Sequence, residues 1–192
     1  MTAPAQTQDS TTKAITTWNM DPAHTTVEFA AKHMMITTVK GRLTEMRGAL
    51  QIDEAHPERS SVEVEFDTAS LDTRSAQRDD HLRSADFLDV ARFPVMTFRS
   101  TRVEGARMQP GTSFRVVGDL TIRDVTREVT LDAVFEGSGR DPWGGDRVSF
   151  AAETKIDRRD FGLTWNTALE AGGVLVSNDI KIQLEVQAVR AS

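Results

Sequence analysis

The stretch Val62-Glu63-Val64-Glu65-Phe66-Asp67 alternates apolar and charged residues without a break. The same alternation returns near the end of the chain, in Ile180-Lys181-Ile182-Gln183-Leu184-Glu185-Val186. Successive side chains of a β-strand point to opposite faces, so each stretch predicts a strand with one apolar and one polar face. A chain made largely of such strands buries its apolar faces against one another in a sandwich or a barrel, and a barrel can keep an interior cavity.

The same period recurs along most of the chain and predicts about eight strands, at 27–31, 50–52, 62–66, 95–98, 114–122, 129–135, 148–152 and 180–186. Eight is the strand number whose closed barrel can hold one small ligand. We therefore expect a single all-β domain at residues 17–190. Residues 1–16 show no apolar period, which predicts a disordered N-terminal tail.

Three stretches interrupt the alternation. Good helix formers replace it at 72–90, which predicts one or two short helices beside the sheet, with Asp72 or Thr73 as the N-cap. Glycine and proline residues predict a long mobile loop at 137–145. The weakly alternating segment 157–177 contains a glycine pair and is either a lid over one end of a barrel or an ordinary connection.

The composition excludes several functional classes. The net charge of -6, from 29 acidic and 23 basic residues, argues against a nucleic-acid partner, which would require a basic face. The absence of cysteine excludes disulfides, thiol nucleophiles and cysteine-ligated zinc. No stretch approaches the roughly 18 apolar residues that span a bilayer, so we expect no integral membrane segment. Since the N-terminus lacks the features of a secretory signal, we expect a cytoplasmic protein, or a periplasmic one if a leader has been removed.

Familiar catalytic motifs do not occur in the sequence. There is no Gly-x-Ser-x-Gly, P-loop, Gly-x-Gly-x-x-Gly or His-Glu-x-x-His pattern, and the four histidines have no spacing typical of metal ligands. We therefore expect neither a metal nor a cofactor. Two polar clusters, Arg78-Asp79-Asp80-His81 and Arg158-Arg159-Asp160, either anchor a polar ligand head group or form ion pairs within the fold.

The apolar faces of the predicted strands provide the wall of a lipid pocket. Taken alone, each aromatic residue on these faces is predicted to pack in the core. In a barrel, the same residues can together line an elongated cavity. Burying hydrocarbon contributes about 0.8 kcal/mol per methylene, so a prenyl or acyl chain binds such a wall without a catalytic or charged group. The predicted wall residues are Phe29, Val64, Phe66, Phe98, Phe114, Leu131, Phe150 and Ile182.

An ordered series of short motifs adds to the strand pattern and runs over nearly the whole chain after the tail. The motifs are Trp18, Asp21-Pro22-Ala23-His24-Thr25, Val27-Glu28-Phe29, Lys32-His33, Gly41, Arg78-Asp79-Asp80-His81-Leu82, Asp86-Phe87-Leu88-Asp89, Phe93-Pro94, Thr97-Phe98, Gly118-Asp119-Leu120-Thr121-Ile122, Val125-Thr126, Arg158 and Asp160-Phe161-Gly162-Leu163. This series resembles the YceI-type polyisoprenoid-binding family, a lipocalin-like group. The ordered series is more specific than any single motif in it.

The resemblance implies an extended antiparallel eight-stranded lipocalin-like barrel with a short helical insertion. It also implies a long apolar tunnel that holds an isoprenoid lipid, such as a polyprenyl diphosphate or a quinone tail, in a non-catalytic protein that is often a homodimer. Leu88 stands where the family commonly has phenylalanine, which bears on the length of the lipid chain. The residues that we predict to hold the lipid head group are His24, Arg78, Asp79, His81 and Arg158.

Three functions are compatible with the sequence. The first is binding, carrying or sequestering an isoprenoid lipid without catalysis. The second is an acid–base enzyme for a small hydrophobic substrate, with His81 and Asp79, or His24 and Arg158, as the reacting groups. The third is a structural module whose barrel is filled by side chains. A histidine bonded to a carboxylate inside a cavity would favour the second function, and an interior without a cavity would favour the third.

Overall fold

Residues 15–170 and 172–191 are described by the structure, which is a computed structural model, and they form eleven β-strands and one α-helix. The strands are β1 (Thr16–Met20), β2 (Thr26–His33), β3 (Thr37–Leu43), β4 (Met46–Ile52), β5 (Ser61–Asp67), β6 (Leu71–Asp72), β7 (Val95–Glu104), β8 (Thr112–Ile122), β9 (Val125–Arg140), β10 (Asp146–Asp157) and β11 (Val176–Arg190). The helix is α1 (Ala76–Arg83), and 3-10 turns cover Pro57–Arg59, Thr68–Ser70 and Arg158–Phe161. Most of the predicted tail, residues 1–14, lies outside the described residues.

The strands belong to one antiparallel sheet that closes into a barrel. Closure occurs because β1 pairs with β4 on one side and with the end of β11 on the other, so that Trp18 lies opposite both Leu50 and Arg190. Three barrel strands are bent, and each consists of two successive elements: β1 with β2, β3 with β4, and β5 with β6. The single strands β7 to β11 complete the ring. The predicted all-β, eight-stranded antiparallel barrel with one short helical insertion is confirmed.

The antiparallel order places the chain reversals at two opposite ends of the barrel. One end, called the helix end here, carries 34–36, α1 with 84–94, 123–124 and 158–175. The other, called the hairpin end, carries 53–60, 105–111 and 141–145. The two ends differ in construction because the helix end carries the long insertions.

Alternate residues of the strands face the interior, as the sequence period predicts. In β5, Val64 and Phe66 are buried whereas Glu63 is exposed. Val64 lies opposite Phe98 of β7, and such cross-strand pairs are the unit by which sheets gain stability. Burial of each large apolar side chain contributes about 1.5–3 kcal/mol, so the apolar faces of the strands supply the main stabilisation of the barrel.

Residues from the connections fill the helix end. Phe87 and Leu88 follow α1, and Phe161 and Leu163 follow β10. All four side chains are buried in the same core cluster as the inward-facing strand residues. The barrel is therefore closed at the helix end by packed side chains.

The long loop predicted at 137–145 is wrong. β9 continues to Arg140 and β10 begins at Asp146, which leaves only the turn 141–145. Gly137 has a φ of 145° and lies opposite Ser149, where the register of the β9–β10 ladder shifts. Gly137 therefore lies at a β-bulge within a long hairpin. The prediction failed because the glycine and proline content of a segment does not distinguish a bulged hairpin from a loop.

The N-cap of α1 is Ser75, and the predicted caps serve other contacts. The carboxylate of Asp72 accepts hydrogen bonds from Arg42 on β3. The main-chain N–H of Thr73 donates to Asp79 inside the helix. Asp72 therefore connects β6 to β3, and Thr73 connects the chain before α1 to the helix itself.

Candidate functional site

An apolar cavity lies inside the barrel at the hairpin end. The centre of a water molecule can occupy a volume of about 120 Å³ within this cavity. A single water needs only about 10–15 Å³ by that measure, so the cavity is large enough for part of an organic ligand. Its lining comes from all eight barrel strands and two connections: Met20, Leu50, Gln51, Ile52, Pro57, Ser60, Ser61, Val62, Val64, Phe98, Val103, Ala106, Arg107, Met108, Phe114, Val116, Leu131, Ala133, Phe135, Phe150, Ala152, Leu184 and Val186.

The predicted wall residues all face the barrel interior. Those that line the cavity are Val64, Phe98, Phe114, Leu131 and Phe150. Those that pack in the core outside the cavity lining are Phe29, Phe66 and Ile182. The difference arises because side chains from the connections fill the helix end. The interior is thus packed in one half and hollow in the other, which matches neither the long tunnel implied by the resemblance nor a filled barrel.

Sequence reasoning missed the part of the wall that comes from outside the alternating stretches. Met20 of β1 and Ala106 and Met108 of the connection 105–111 line the cavity. Phe135, which is 2% exposed and lines the cavity, is one of the aromatic residues that the alternation places on an apolar strand face, although the list of predicted wall residues leaves it out. It continues the inward-facing series of Leu131 on the same strand at a spacing of four residues.

Arg78 and Asp79 hold the start of the helix against β6. The buried Asp79 carboxylate accepts hydrogen bonds from the Thr73 main-chain N–H, at 2.9 Å, and from the Thr73 hydroxyl. Arg78 donates from Nε to the same hydroxyl at 2.7 Å and from Nη2 to the Thr73 main-chain oxygen at 2.8 Å. Neither side chain lines the cavity. The geometry therefore gives this pair a structural role at the helix end.

Arg158 is buried, with 4% of its surface exposed, and it binds main-chain oxygens of the segment around it. Its Nε donates to Ser177 at 3.0 Å, and its Nη1 donates to Leu163 and, at 2.8 Å, to Trp165. Burial lowers the pKa of the guanidinium from its ordinary value, while the nearby Asp157 raises it. An arginine stays charged at neutral pH, so these bonds are charge-assisted and strong.

His81 lies in an aromatic cluster at the helix end. Its ring meets Trp165 edge-on, with centroids 4.6 Å apart, and meets Phe87 edge-on at 5.1 Å. Its Nε2 is 3.0 Å from a carboxylate oxygen of Asp86. The predicted acid–base pair of His81 with Asp79 is wrong, because Asp79 is bonded within the helix start and His81 takes a different carboxylate.

His24 is exposed and lies beside a network of ion pairs. Its Nδ1 is 2.8 Å from a carboxylate oxygen of Asp21. Arg147 donates to that carboxylate at 2.7 Å and to Asp141 at 2.8 Å. The hydrogen bond from Arg147 lowers the pKa of Asp21 and that of Asp141. The predicted pair of His24 with Arg158 is wrong, because Arg158 is buried at the helix end.

A wider depression lies on the outside of the same barrel wall. It has a volume of about 620 Å³ and is lined by residues of β7 to β11 and Gly105. Glu104 and Arg115 form an ion pair there at 2.8 Å, and Glu153 pairs with Lys181 at 3.0 Å. Charged side chains are among its lining residues, whereas the inner cavity exposes only apolar atoms, so the inner cavity is the candidate site.

Metal clusters and membrane-spanning helices are both absent from the described part of the chain. Among residues 15–170 and 172–191, no three histidine, aspartate or glutamate side chains converge as metal ligands would. No helix within the same residues is long and apolar enough to cross a bilayer.

Comparison with known proteins identifies the family. The family model described as a YceI-like domain matches residues 18–188. The chain belongs to the YceI family. The protein YceI of Salmonella newport (strain SL254) is 43% identical to it over 141 residues, which cover 73% of this chain and 72% of that protein. The resemblance carried by the sequence motifs is confirmed.

Solved structures share the fold of this YceI domain. BcnA from Burkholderia cenocepacia matches with a TM-score of 0.75 and 22% identity, over 88% of this chain and 98% of that one. A polyisoprenoid binding domain from Saccharophagus degradans matches with a TM-score of 0.67 and 13% identity, over 93% of this chain and 100% of that one. At these identities the likeness is one of fold.

The polar motif residues of this YceI domain stabilise the helix end. Asp79 bonds to Thr73, and Arg158 bonds to the oxygens of three other residues, so their hydrogen-bonding groups are engaged within the fold. The role of these residues in holding a lipid head group stays a prediction. The site with the clearest geometry is the apolar cavity at the opposite end.

Proposed function

We propose that this YceI domain binds the chain of an isoprenoid lipid in the cavity at the hairpin end, and that it carries or sequesters the lipid without catalysing a reaction. The observation that carries the proposal is the cavity wall, which is predominantly apolar and receives side chains from all eight barrel strands. The YceI family membership and the likeness to a polyisoprenoid binding domain support the same class of ligand.

Hydrocarbon burial supplies the binding energy for such a ligand. Each methylene removed from water contributes about 0.8 kcal/mol, so a buried chain of about ten carbons contributes about 8 kcal/mol before the costs of association. That amount does not require a charged or catalytic group inside the wall. The proposal is therefore consistent with the apolar lining.

The cavity must widen to admit a long chain. Its volume of about 120 Å³ is below the roughly 300–1,000 Å³ of sites that enclose drug-sized ligands. Met108, Phe114 and Phe150 line the cavity and are only half-buried, so rotation of these side chains creates space. Met108 is expected to move most readily because its unbranched side chain has three rotatable bonds.

The geometry favours binding over acid–base catalysis. His81 and His24 lie outside the cavity lining, and so do their carboxylate partners Asp86 and Asp21. An acid–base enzyme would need such a pair within hydrogen-bond reach of a substrate held in the cavity. Binding, in contrast, uses the apolar wall as it stands.

We also propose that the protein forms a homodimer, because the resemblance to the family implies one. Sedimentation of the purified protein tests it. A mass of twice the 21.2 kDa of one chain supports the dimer, and the mass of one chain at working concentration removes it from the proposal.

A pair of tryptophan substitutions on one strand tests lipid binding. Leu131→Trp places a bulky ring in the cavity, whereas Val134→Trp on the same strand places it on the outer wall. Native mass spectrometry with geranylgeraniol should show binding by the wild type and by Val134→Trp, and at least about tenfold weaker binding by Leu131→Trp. Circular dichroism shows whether both variants fold. Equal binding by two folded variants would contradict the proposal.

A further inference from the structure

We propose that the turn formed by Met34, Met35 and Ile36 docks the protein on the surface of a lipid bilayer, with the three side chains inserted below the head groups. This turn, called the apolar tip here, joins β2 to β3 at the helix end of the barrel. The inference goes beyond ligand binding in the cavity, which lies at the hairpin end, and does not depend on it.

The apolar tip is a contiguous run of exposed large apolar side chains. Met34 is 42% exposed, Met35 63% and Ile36 76%. The other large apolar residues that are exposed in the described ranges 15–170 and 172–191 each stand alone in the sequence. Single exposed apolar residues are ordinary on protein surfaces, whereas a contiguous group marks an interaction site.

The backbone of the apolar tip favours residues other than those it carries. The main-chain N–H of Ile36 donates to the oxygen of His33 at 3.1 Å and closes a turn whose central residues are Met34 and Met35. Their φ angles are 51° and 59°. Positive φ at both central positions is that of a type I′ turn, in which asparagine followed by glycine is strongly preferred. Two methionines there oppose the local backbone preference and expose apolar surface, and such a conflict is expected at a functional site.

The shape of the apolar tip fits a fluid apolar phase better than a protein surface. Consecutive side chains of a turn diverge, and all three are exposed, so the apolar surface is convex. The next residues, Thr37 and Thr38, are exposed and polar. A stable protein interface buries about 800 Å² on each partner, which a tip of three side chains does not supply. A bilayer surrounds such a tip and buries apolar side chains about 5–10 Å deep.

Lys32 places a positive charge at the level of the lipid phosphates. It is exposed on β2, two residues before the apolar tip, which is about 7 Å along a strand. The head-group layer of one leaflet is about 5–8 Å thick. Lys32 forms no ion pair with a carboxylate in the described ranges, whereas Lys40 of β3 pairs with Glu28 at 3.7 Å. The Lys32 amine is therefore available to a phosphate when the tip reaches the hydrocarbon.

The apolar tip is attached to the barrel on its other side. The main-chain N–H of Met34 donates to the oxygen of Leu175 at 2.8 Å, and His33 lies opposite Val176 of β11. The turn is thus ordered before it meets a bilayer, which reduces the entropic cost of insertion. A protein docked in this way has its hairpin end, with the cavity, on the side away from the bilayer.

A variant that improves the turn while removing its apolar surface tests the inference. Met34→Asn/Met35→Gly introduces the residues that a type I′ turn prefers, so its urea unfolding midpoint should equal or exceed that of the wild type. In sedimentation with phosphatidylcholine vesicles, the full-length wild type should bind, and the double variant should bind at least about tenfold more weakly. Trp143→Ser removes a side chain that is 86% exposed at the opposite end, and it should bind as the wild type does.

Each other outcome overturns docking through the apolar tip. These outcomes are no vesicle binding by the wild type, equal binding by the double variant, or a loss of binding in Trp143→Ser alone. A lower unfolding midpoint of the double variant would show that the methionines serve the fold. A smaller sedimenting mass of the double variant without vesicles would show that the tip joins two copies of the chain. Geranylgeraniol binding, which uses the cavity, should be equal in the wild type and the double variant, and its absence from both would contradict the proposed function alone.

Discussion

The aromatic ring of Phe29 lies across the α-carbon of Gly41 on the neighbouring strand. The two residues are direct partners in the β2–β3 ladder. A Cβ atom on Gly41 would lie 2.8 Å from Cε1 of the ring, and also 2.8 Å from Cγ2 of Thr73, which is closer than real Cβ contacts. Gly41 therefore allows the wall of the barrel to pack directly against the segment that leads into α1.

Gly41→Ala should destabilise the barrel. The added methyl group forces the Phe29 ring and Thr73 apart, and overpacking of this kind costs about 1–3 kcal/mol. Urea unfolding followed by circular dichroism measures the change. Gly139→Ala is the control, because a Cβ atom there meets nothing within 4 Å. Equal losses in the two variants would contradict the packing described for Phe29.

Arg158→Ala should lower the free energy of unfolding by about 3 kcal/mol, because it leaves buried main-chain oxygens without their charged donor. The oxygens are those of Leu163, Trp165 and Ser177. Arg127→Ala, which removes an exposed guanidinium, serves as the control and should have a much smaller effect. Similar unfolding midpoints for both variants would show that the buried contacts do not stabilise the segment.

The stabilising contribution of the Asp157 carboxylate should be lost in acid. Hydrogen bonds from the side chain and main-chain N–H of Arg159 lower the pKa of Asp157 from 3.8 to about 2. Because this pKa is lower in the folded protein than in the unfolded chain, the contribution is complete above about pH 4 and disappears as the pH falls through about 2.

Asp157→Asn should therefore be less stable than the wild type at pH 7, and the difference should shrink steadily between pH 4 and pH 2. Urea unfolding at several pH values measures it. Asp160→Asn, which changes an exposed carboxylate nearby, serves as the control. A difference between wild type and Asp157→Asn that stays constant down to pH 2 would contradict the assignment.

Arg147→Met should loosen the turn 141–145 at the hairpin end. Arg147 fixes the Asp141 carboxylate, which in turn accepts hydrogen bonds from the main-chain N–H groups of Trp143 and Gly145, each at 2.9 Å. We expect these two amides to exchange with solvent about fivefold faster in the variant, as measured by NMR. Arg102→Met, which removes an exposed pair on β7, should leave them unchanged.

The strand pattern was sufficient to predict the barrel and the orientation of its inner face. The stretch 62–67 lies in β5, and Val64 and Phe66 face the interior because alternation in a strand is a local property of the backbone. The position of the empty space could not be predicted in this way. It depends on Phe87 and Phe161, which come from segments without a strand period and fill the helix end.

The burial of individual charged residues could not be predicted from the sequence either. Arg158 is buried and Arg159 is exposed, although both stand in one cluster of charges, because the turn that contains them orients the two side chains differently. Local tertiary packing, and not the charge pattern of the sequence, decides which of the two arginines is buried.

Lipid binding in the cavity is tested most directly by incubating the purified protein with prenyl-lipid vesicles, extracting it with organic solvent and measuring the extract by mass spectrometry. We predict about one prenyl lipid per chain for the wild type and for Val134→Trp, and almost none for Leu131→Trp. An extract of the wild type without prenyl lipid, or equal amounts from the folded wild type and Leu131→Trp, would contradict binding in the cavity.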